Sequence, residues 1–572
     1  MFLLFAAALG AAGQKDSPAE QLAAVFNAMR GEKNVRIASV KYTGGDFEKA
    51  GGGFMWQNND GRGWTTGERL TLTDVRPKQL ERVAKCFDRV AQRQHVTGRA
   101  YQPGKRAERC TSVNGNRTVY VYRYAPEPNV LYLLKATPGE GCCVPKNWYL
   151  KDSVNATVTR KQTDPFAHLS ATERRLLGLS RLWAGVKQNF VFLSRVGLNW
   201  DSLYAAQIKR VMQAPDDAAC TRIFQEMTAL LHDGHTYVYD FSARAAVPLS
   251  TRYIDGHVYV DAVADRGLQR AGVERGMELL RMNGQPVMDY GRLRVMPAVA
   301  ASTPQWALHE TYDGAGLMAC GPTDTVRLEL ADRSGRRVEV RYTPAAREPI
   351  DLPRQQVTWK RVKGRIGYLR IRHFGQHPEL LDEIYPELLK TRALIIDLRD
   401  NPGGNSGYAN YVLQRLATDS FRLASWSSPL YVPAWASWGY GPQWHREPSQ
   451  WMQPTRHVTP YTGPVVVLID RGTFSAAEDF CAVFKGMKRG IFVGTPTGGS
   501  TGNGVRVELI PGFSYANICS KHDVGPDGTD FVGKGIQPDI RVDETYASWF
   551  EDKTDAALTA ALKYLEQRAA AD

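Results

Sequence analysis

Residues 465–486 read VVVLIDRGTFSAAEDFCAVFKG. Val465 to Ile469 is an apolar run with no polar face, the pattern of a strand covered on both sides. Asp470 to Phe474 interrupt it. From Ala476 to Lys485 the chain has neither Gly nor Pro, and a helix is expected there. Ser475 lies at the junction. A strand-to-helix elbow can hold a serine hydroxyl out for attack, or the serine can simply cap the helix. The stretch alone leaves both readings open.

The residues around it repeat the same alternation. Ile366–Ile371 and Ala393–Leu398, apolar on both faces, read as strands, with a helical stretch, Leu381 to Leu389, between them. The glycine-rich loop Asn401-Pro402-Gly403-Gly404 follows, then another helix, and Ile491–Gly494 is a further strand. Strands alternating with helices imply a parallel-type sheet covered by helices. Sites in such sheets lie at the carboxyl ends of the strands, where both Asn401–Gly404 and Ser475 fall. This α/β unit is expected over 355–545, with a C-terminal helix over 546–572.

Upstream, Ser170-Ala171-Thr172-Glu173 is a capping box, and Leu176, Leu179, Trp183, Val186 and Phe190 recur at helical spacing behind it. A second amphipathic stretch runs from Asp217 to Leu231 and is expected to stop at Gly234 in LLHDGHTYV. These define a helical subdomain over 165–240. Residues 245–345 read as a β unit containing ADRGLQRAGVERGMELLRMNGQPV. That run resembles a PDZ domain, a fold that binds extended peptides at a sheet edge. It departs at Met277-Glu278, where an Asp is usual after the Gly. Residues 20–160 read as a mostly β N-terminal region rich in turn residues.

Several function classes recede on composition. The chain has 572 residues and a net charge of +13. No dense Lys/Arg tract accompanies that charge, so a diffuse basic surface is expected rather than a nucleic-acid site. Phe2 to Ala12 form an apolar run of small residues followed by Gly13, which predicts an export signal over 1–13 and an extracytoplasmic protein. No basic n-region precedes the run, and no other run approaches a membrane span, so no stable membrane anchor is expected. Of eight cysteines, Cys86, Cys110, Cys142 and Cys143 cluster, which suggests disulfides; Cys220, Cys320, Cys481 and Cys519 read as free thiols. No metal-ligand spacing stands out, and neither a metal nor another cofactor is expected.

IGYLRIRHF, LIIDLRDNPGG, GTFSAAEDF, VGTPTGGSTGN and GKGIQPDIRV occur in this order. Together they resemble the tail-specific (C-terminal processing) serine protease family, over roughly 165–565. The resemblance implies a multidomain α/β protein. Its parts would be a ClpP/crotonase-like core, a PDZ-like β insert, a helical subdomain and the mostly β N-terminal domain. It implies Ser475 as nucleophile, and Ala476 with Gly403 or Gly404 as oxyanion donors.

The base departs from the usual pattern. Bacterial and plastid members use a Lys in the segment matching Gly494–Gly502, and Ser500 stands in its place here. Lys485 and Lys488 would lie roughly 15–20 Å along the helix from Ser475. The tricorn-like branch instead takes a His from the helical subdomain, which points to His235, with His232 as the lesser alternative. The orienting acid of relatives falls on Val532, so Asp530, then Asp527, are the carboxylates expected to replace it. A Ser beside the base in that branch is Gly234 here. Asp397 and Glu478 read as structural. The expectation is an exported endopeptidase acting on peptide or protein substrates; the alternative is a non-catalytic relative that binds peptides or hydrophobic ligands. The oligomeric state has no signal in the sequence.

Overall fold

The computed structural model describes 36–42, 64–73, 108–113, 118–124 and 131–138. It then describes residues 166–569 except 167, 242–244, 351–355, 376–377, 457 and 552–554. The chain divides into two units, Met1–Thr163 and Asp164–Asp572. The first contributes five strands, β1 (Arg36–Tyr42), β2 (Trp64–Thr73), β3 (Glu108–Val113), β4 (Thr118–Tyr124) and β5 (Leu131–Pro138). They form one antiparallel sheet in the order β1-β2-β5-β4-β3. The export signal expected over 1–13 lies outside the described residues, as do the side chains of the four clustered cysteines.

The second unit begins with α1 (Ala171–Asn189), α2 (Trp200–Met212) and α3 (Asp217–Ala229). The capping box opens α1 as expected: Ser170 N–H donates to Glu173 at 2.7 Å and Glu173 N–H to Ser170 Oγ at 3.3 Å. Leu179, Leu182 and Val186 of α1 pack with Phe224 and Met227 of α3. The end of α3 differs from expectation. His232, with φ 51°, takes the left-handed turn there, and Gly234 does not. Gly234 is needed for space instead, since a Cβ would stand 2.8 Å from the Phe474 ring and 3.3 Å from Ser500 Cβ.

Next come β6 (Tyr237–Asp240), β7 (Leu249–Ile254), β8 (His257–Val263) and β9 (Glu278–Met282). The short helix α4 (Pro304–Leu308) and strands β10 (Val326–Ala331) and β11 (Arg337–Tyr342) follow. Strands β11-β10-β9-β8-β7 form an antiparallel sheet closed around Val258, Val260, Leu279 and Leu328.

The last part is the predicted α/β alternation. Its strands are β12 (Val357–Val362), β13 (Ile366–Ile371), β14 (Ala393–Asp397), β15 (Val465–Ile469), β16 (Gly490–Gly494) and β19 (Ile540–Arg541). They pair in that order; β12 is antiparallel to β13 and every other pair is parallel. Every residue of β14 and β15 is buried, because helices cover both faces. On one face lie α5 (Pro378–Leu388), α6 (Ser406–Leu416) and α7 (Ala476–Gly486); on the other lies α8 (Ala556–Ala569).

Register then positions the site. Asp397 is level with Leu468, and Ile469 with Gly494. The chain segments leaving β14, β15 and β16 therefore emerge at one edge of the sheet. Strands β17 (Gly504–Glu508) and β18 (Ser514–Cys519) follow β16, and β18 pairs with β6. That pairing carries the helical subdomain's end to the same edge.

Candidate active site

The elbow is held in a conformation that L-residues rarely adopt. Ser475 has φ 55° and ψ −124°. Such strain persists only where neighbours over-determine the backbone. Here Ser475 N–H donates to Ser500 O at 3.1 Å, and Phe474 N–H to Asn401 O at 2.9 Å. Glu478 and Asp479 N–H groups donate to Ser475 O at 2.7 and 3.0 Å, starting α7. The Ser475 side chain makes no capping bond to that helix. Its Oγ lies 2.9 Å from His235 Nε2, across 240 residues of sequence.

Two contacts fix His235, one on its backbone and one on its ring. Asn517 of β18 donates to the His235 carbonyl at 2.7 Å, tying the segment before β6 to its partner strand. Phe474 stacks on the ring with centroids 4.9 Å apart and planes 8° apart, and Trp306 of α4 stacks on Phe474 at 3.7 Å and 7°. Burial pushes the His235 pKa down to about 4, so the ring is neutral at rest near pH 7. A neutral ring can accept the Ser475 proton.

The Asn401–Gly404 loop folds against the elbow. Its own backbone is pinned by Phe374 N–H to Gly403 O at 2.8 Å and Asn405 N–H to Phe374 O at 2.7 Å. Gly403 has φ 99°, and a Cβ there would lie 2.7 Å from Ser475 Cβ and 2.8 Å from Ala476 N. Only glycine permits this approach. The Gly403 amide is already used, donating to Asn401 Oδ1 at 2.9 Å. Among the described residues, the amides of Gly404 and Ala476 have no acceptor. Of the two loop glycines expected as oxyanion donors, Gly404 is the one with a free N–H.

Asp530 is not where the sequence reading puts it. Phe531 is buried at 1% exposure in the main core, which turns the adjoining Asp530 outward. Asp530 accepts from His522 Nε2 at 2.9 Å and pairs with Arg195 at 3.6 Å. Asp527 is near Lys485 at 3.8 Å, with Thr529 N–H donating to it at 2.9 Å. The group on His235 Nδ1 is Ser500 Oγ, at 2.9 Å. Ser500 Oγ in turn lies 3.3 Å from Asp233 Oδ1. Ser302 Oγ approaches the same oxygen at 3.4 Å and accepts from Gly234 N–H at 2.9 Å, while Thr236 donates to Oδ2 at 2.6 Å. Asp233 lies in LLHDGHTYV, the same stretch that marks His235, so that stretch could have pointed to it; Ser302 carries no periodic or glycine-rich signal in the sequence.

The two carboxylates read as structural are both buried. Asp397 binds Arg399 through 2.8 and 2.9 Å bonds and also accepts from Tyr368. Glu478 accepts from Thr497 Oγ1 at 2.5 Å, Gly499 N–H at 2.7 Å and Ser500 N–H at 2.9 Å. It thereby shapes the loop that brings Ser500 to His235. Burial pushes its pKa up to about 8. No group of metal-ligating side chains occurs among the described residues, and no described helix is long and apolar enough to cross a membrane.

The model of peptidase family S41 matches residues 365–542. A chloroplastic C-terminal processing peptidase of Tetradesmus obliquus is 24% identical over 399 residues, spanning 65% of this chain and 78% of the relative. A carboxyl-terminal-processing protease of Synechocystis sp. is 24% identical over 310 residues, spanning 50% of this chain and 67% of that protein. Among solved structures, mature CPAF superposes with a TM-score of 0.53 at 19% identity, covering 69% of this chain and 96% of that one.

Proposed function

Since this chain is a serine-type peptidase of the tail-specific S41 family, we propose that it cleaves peptide bonds through a Ser475 acyl-enzyme with His235 as general base. One observation carries the reading: the 2.9 Å contact between Ser475 Oγ and His235 Nε2 at a strained elbow. As Ser475 Oγ bonds to the substrate carbonyl carbon, its proton passes to His235 Nε2. The carbonyl oxygen becomes an oxyanion and accepts from the Gly404 and Ala476 amides. The start of α7 favours that charge. Collapse of the intermediate breaks the C–N bond, and the Nε2 proton leaves with the amine. Water then hydrolyses the acyl-enzyme by the same proton path in reverse.

A histidine base assigns the chain to the tricorn-like pattern rather than the serine–lysine one. The position of the lysine in other members holds Ser500, and the Lys485 ammonium is directed at Thr529 and Asp527. The β7–β11 sheet is the PDZ-like unit of this reading, presenting an extended or C-terminal peptide. The apolar run at Phe2–Ala12 supports export in this reading. Fluorophosphonate labelling tests the mechanism: wild type is labelled, Ser475→Ala is not, and His235→Ala reacts far more slowly. Undiminished labelling of Ser475→Ala would remove the nucleophile, and full-rate labelling of His235→Ala would remove the base.

A further inference from the structure

Asp233 has no place in the steps above, yet its surroundings are unusual. It is 1% exposed, and among the described residues no cation pairs with it. Its side-chain partners are hydroxyls, Thr236 at 2.6 Å, Ser500 at 3.3 Å and Ser302 at 3.4 Å, and the His235 backbone N–H also donates to it. A buried carboxylate without a counter-ion is costly, and proteins keep one where a positive charge arrives. The nearest group that becomes positive is the His235 ring, one hydroxyl away.

We propose that Asp233, acting through the Ser500 hydroxyl, orients His235 and offsets the charge its ring acquires during catalysis. This rests on the Ser475–His235 reading. Nε2 must be bare to accept the Ser475 proton, so the resting proton sits on Nδ1. That N–H donates to Ser500 Oγ, and the Ser500 O–H donates to Asp233 Oδ1. When Nε2 gains the serine proton, both ring protons remain on the imidazolium. No proton passes to Asp233, which stays a carboxylate and stabilises the cation through the intervening dipole. The 3.3 Å link is long for such a bond, as resting sites often are before substrate tightens them.

The arrangement follows from two departures in the chain. Val532 occupies the position of the usual acid and packs against the core. Gly234 occupies the position of a linking serine beside the base, and the absence of its side chain admits Phe474 and Ser500. Ser500 then supplies the hydroxyl from the opposite loop. Thr236 fixes the second carboxylate oxygen, and Ser302 ties the acid to the segment before α4. Asp233 and Ser500 are positioning residues, since neither touches Ser475 Oγ or the oxyanion donors.

The charged and titratable groups facing Asp233 are few. Glu478 lies behind Ser500 with its pKa pushed up to about 8, and burial holds the Cys519 thiol well above its usual range. Burial favours the neutral form of both near pH 7. Burial raises Asp233 itself to about 6, leaving it ionised there.

The test uses the full chain and four variants: Asp233→Asn, Ser500→Ala, Asp530→Asn and Ser475→Ala. Fluorophosphonate labelling rates are measured from about pH 5 to pH 9, with kcat and KM on an unstructured protein substrate and a melting curve for each variant. Asp233→Asn and Ser500→Ala should label about 100- to 1000-fold more slowly at neutral pH with KM little changed. Asp233→Asn should also lose the acidic limb of the pH profile. Asp530→Asn should match wild type. If Asp233→Asn fails to fold, Ser500→Ala decides, because it leaves the carboxylate in place. Asp233→Asn and Ser500→Ala within twofold of wild type, beside an unlabelled Ser475→Ala, overturn the relay and spare the nucleophile. Labelling of Ser475→Ala overturns both.

Discussion

Replacing Gly403 with alanine probes the proposed oxyanion loop more sharply than deleting a side chain, because it adds a single Cβ directly against the elbow. The new Cβ would meet Phe474 O and Ser475 Cβ at 2.7 Å and Ala476 N at 2.8 Å, whereas ordinary contact begins near 3.4 Å. The loop must therefore retreat by about 0.7 Å (3.4 less 2.7). A 0.7 Å retreat stretches a bond of about 2.9 Å from Gly404 N–H to an oxyanion to about 3.6 Å, where it ceases to be a hydrogen bond. Losing one such donor lowers kcat by about 10²–10³-fold. The φ of 99° adds strain of about 1–2 kcal/mol for a residue with a Cβ. Gly512→Ala is the matched control: its φ is 71°, but nothing lies within 4 Å of the new Cβ. It should lower the melting temperature without changing kcat. Steady-state kinetics on a peptide substrate, beside fluorophosphonate labelling and melting curves, separate the two effects. Gly403→Ala within threefold of wild-type kcat would refute the oxyanion assignment of this loop.

Other perturbations have equally definite outcomes. Lowering the pH through about 6 should reduce kcat/KM as Asp233 protonates, while His235, with a pKa near 4, stays neutral. In stability the two groups oppose each other. The raised Asp233 loses its contribution as pH rises towards 6, and the depressed His235 loses its contribution as pH falls from its unfolded value towards 4, so activity should fall there with little net melting shift from this pair. Arg252 is 4% exposed and bonds Asp400 at 2.7 Å, Asp470 at 3.0 Å and Glu544 at 2.9 Å; Arg252→Met should destabilise by about 3–5 kcal/mol in denaturant titration, with part recovered by adding Asp470→Asn. Trp306→Ala removes one slab of the Trp306–Phe474–His235 stack and should lower kcat about 2- to 10-fold with KM little changed, since an aromatic pair contributes about 0.5–1.5 kcal/mol.

What could be read from the sequence was local or periodic. The apolar runs of β14 and β15, the helix free of Gly and Pro after Ser475, and the glycine pair after Asn401 each state their structure within a few residues. Their alternation gave the parallel sheet, and the sheet put both loops at one edge. The end of α3 was harder: Gly234 reads as the helix stop, but the left-handed turn falls on His232 and Gly234 instead leaves room for Phe474. His235 was reachable only through the family resemblance, because no local pattern marks a residue meant for a partner 240 positions away.

Chain order and composition thus determined the strand-to-helix elbow at Ser475, the glycine loop and the lack of a lysine where other members carry one. Tertiary structure alone decided which hydroxyl and which carboxylate stand behind His235, and which glycine amide is left without an acceptor. Asp233 meets Ser500 across 267 residues, and Asn401 takes the Gly403 amide through a side chain. Hydrogen bonds are allocated by distances of a few tenths of an ångström, and those are set by how strands and loops pack, not by the order in which their residues are joined.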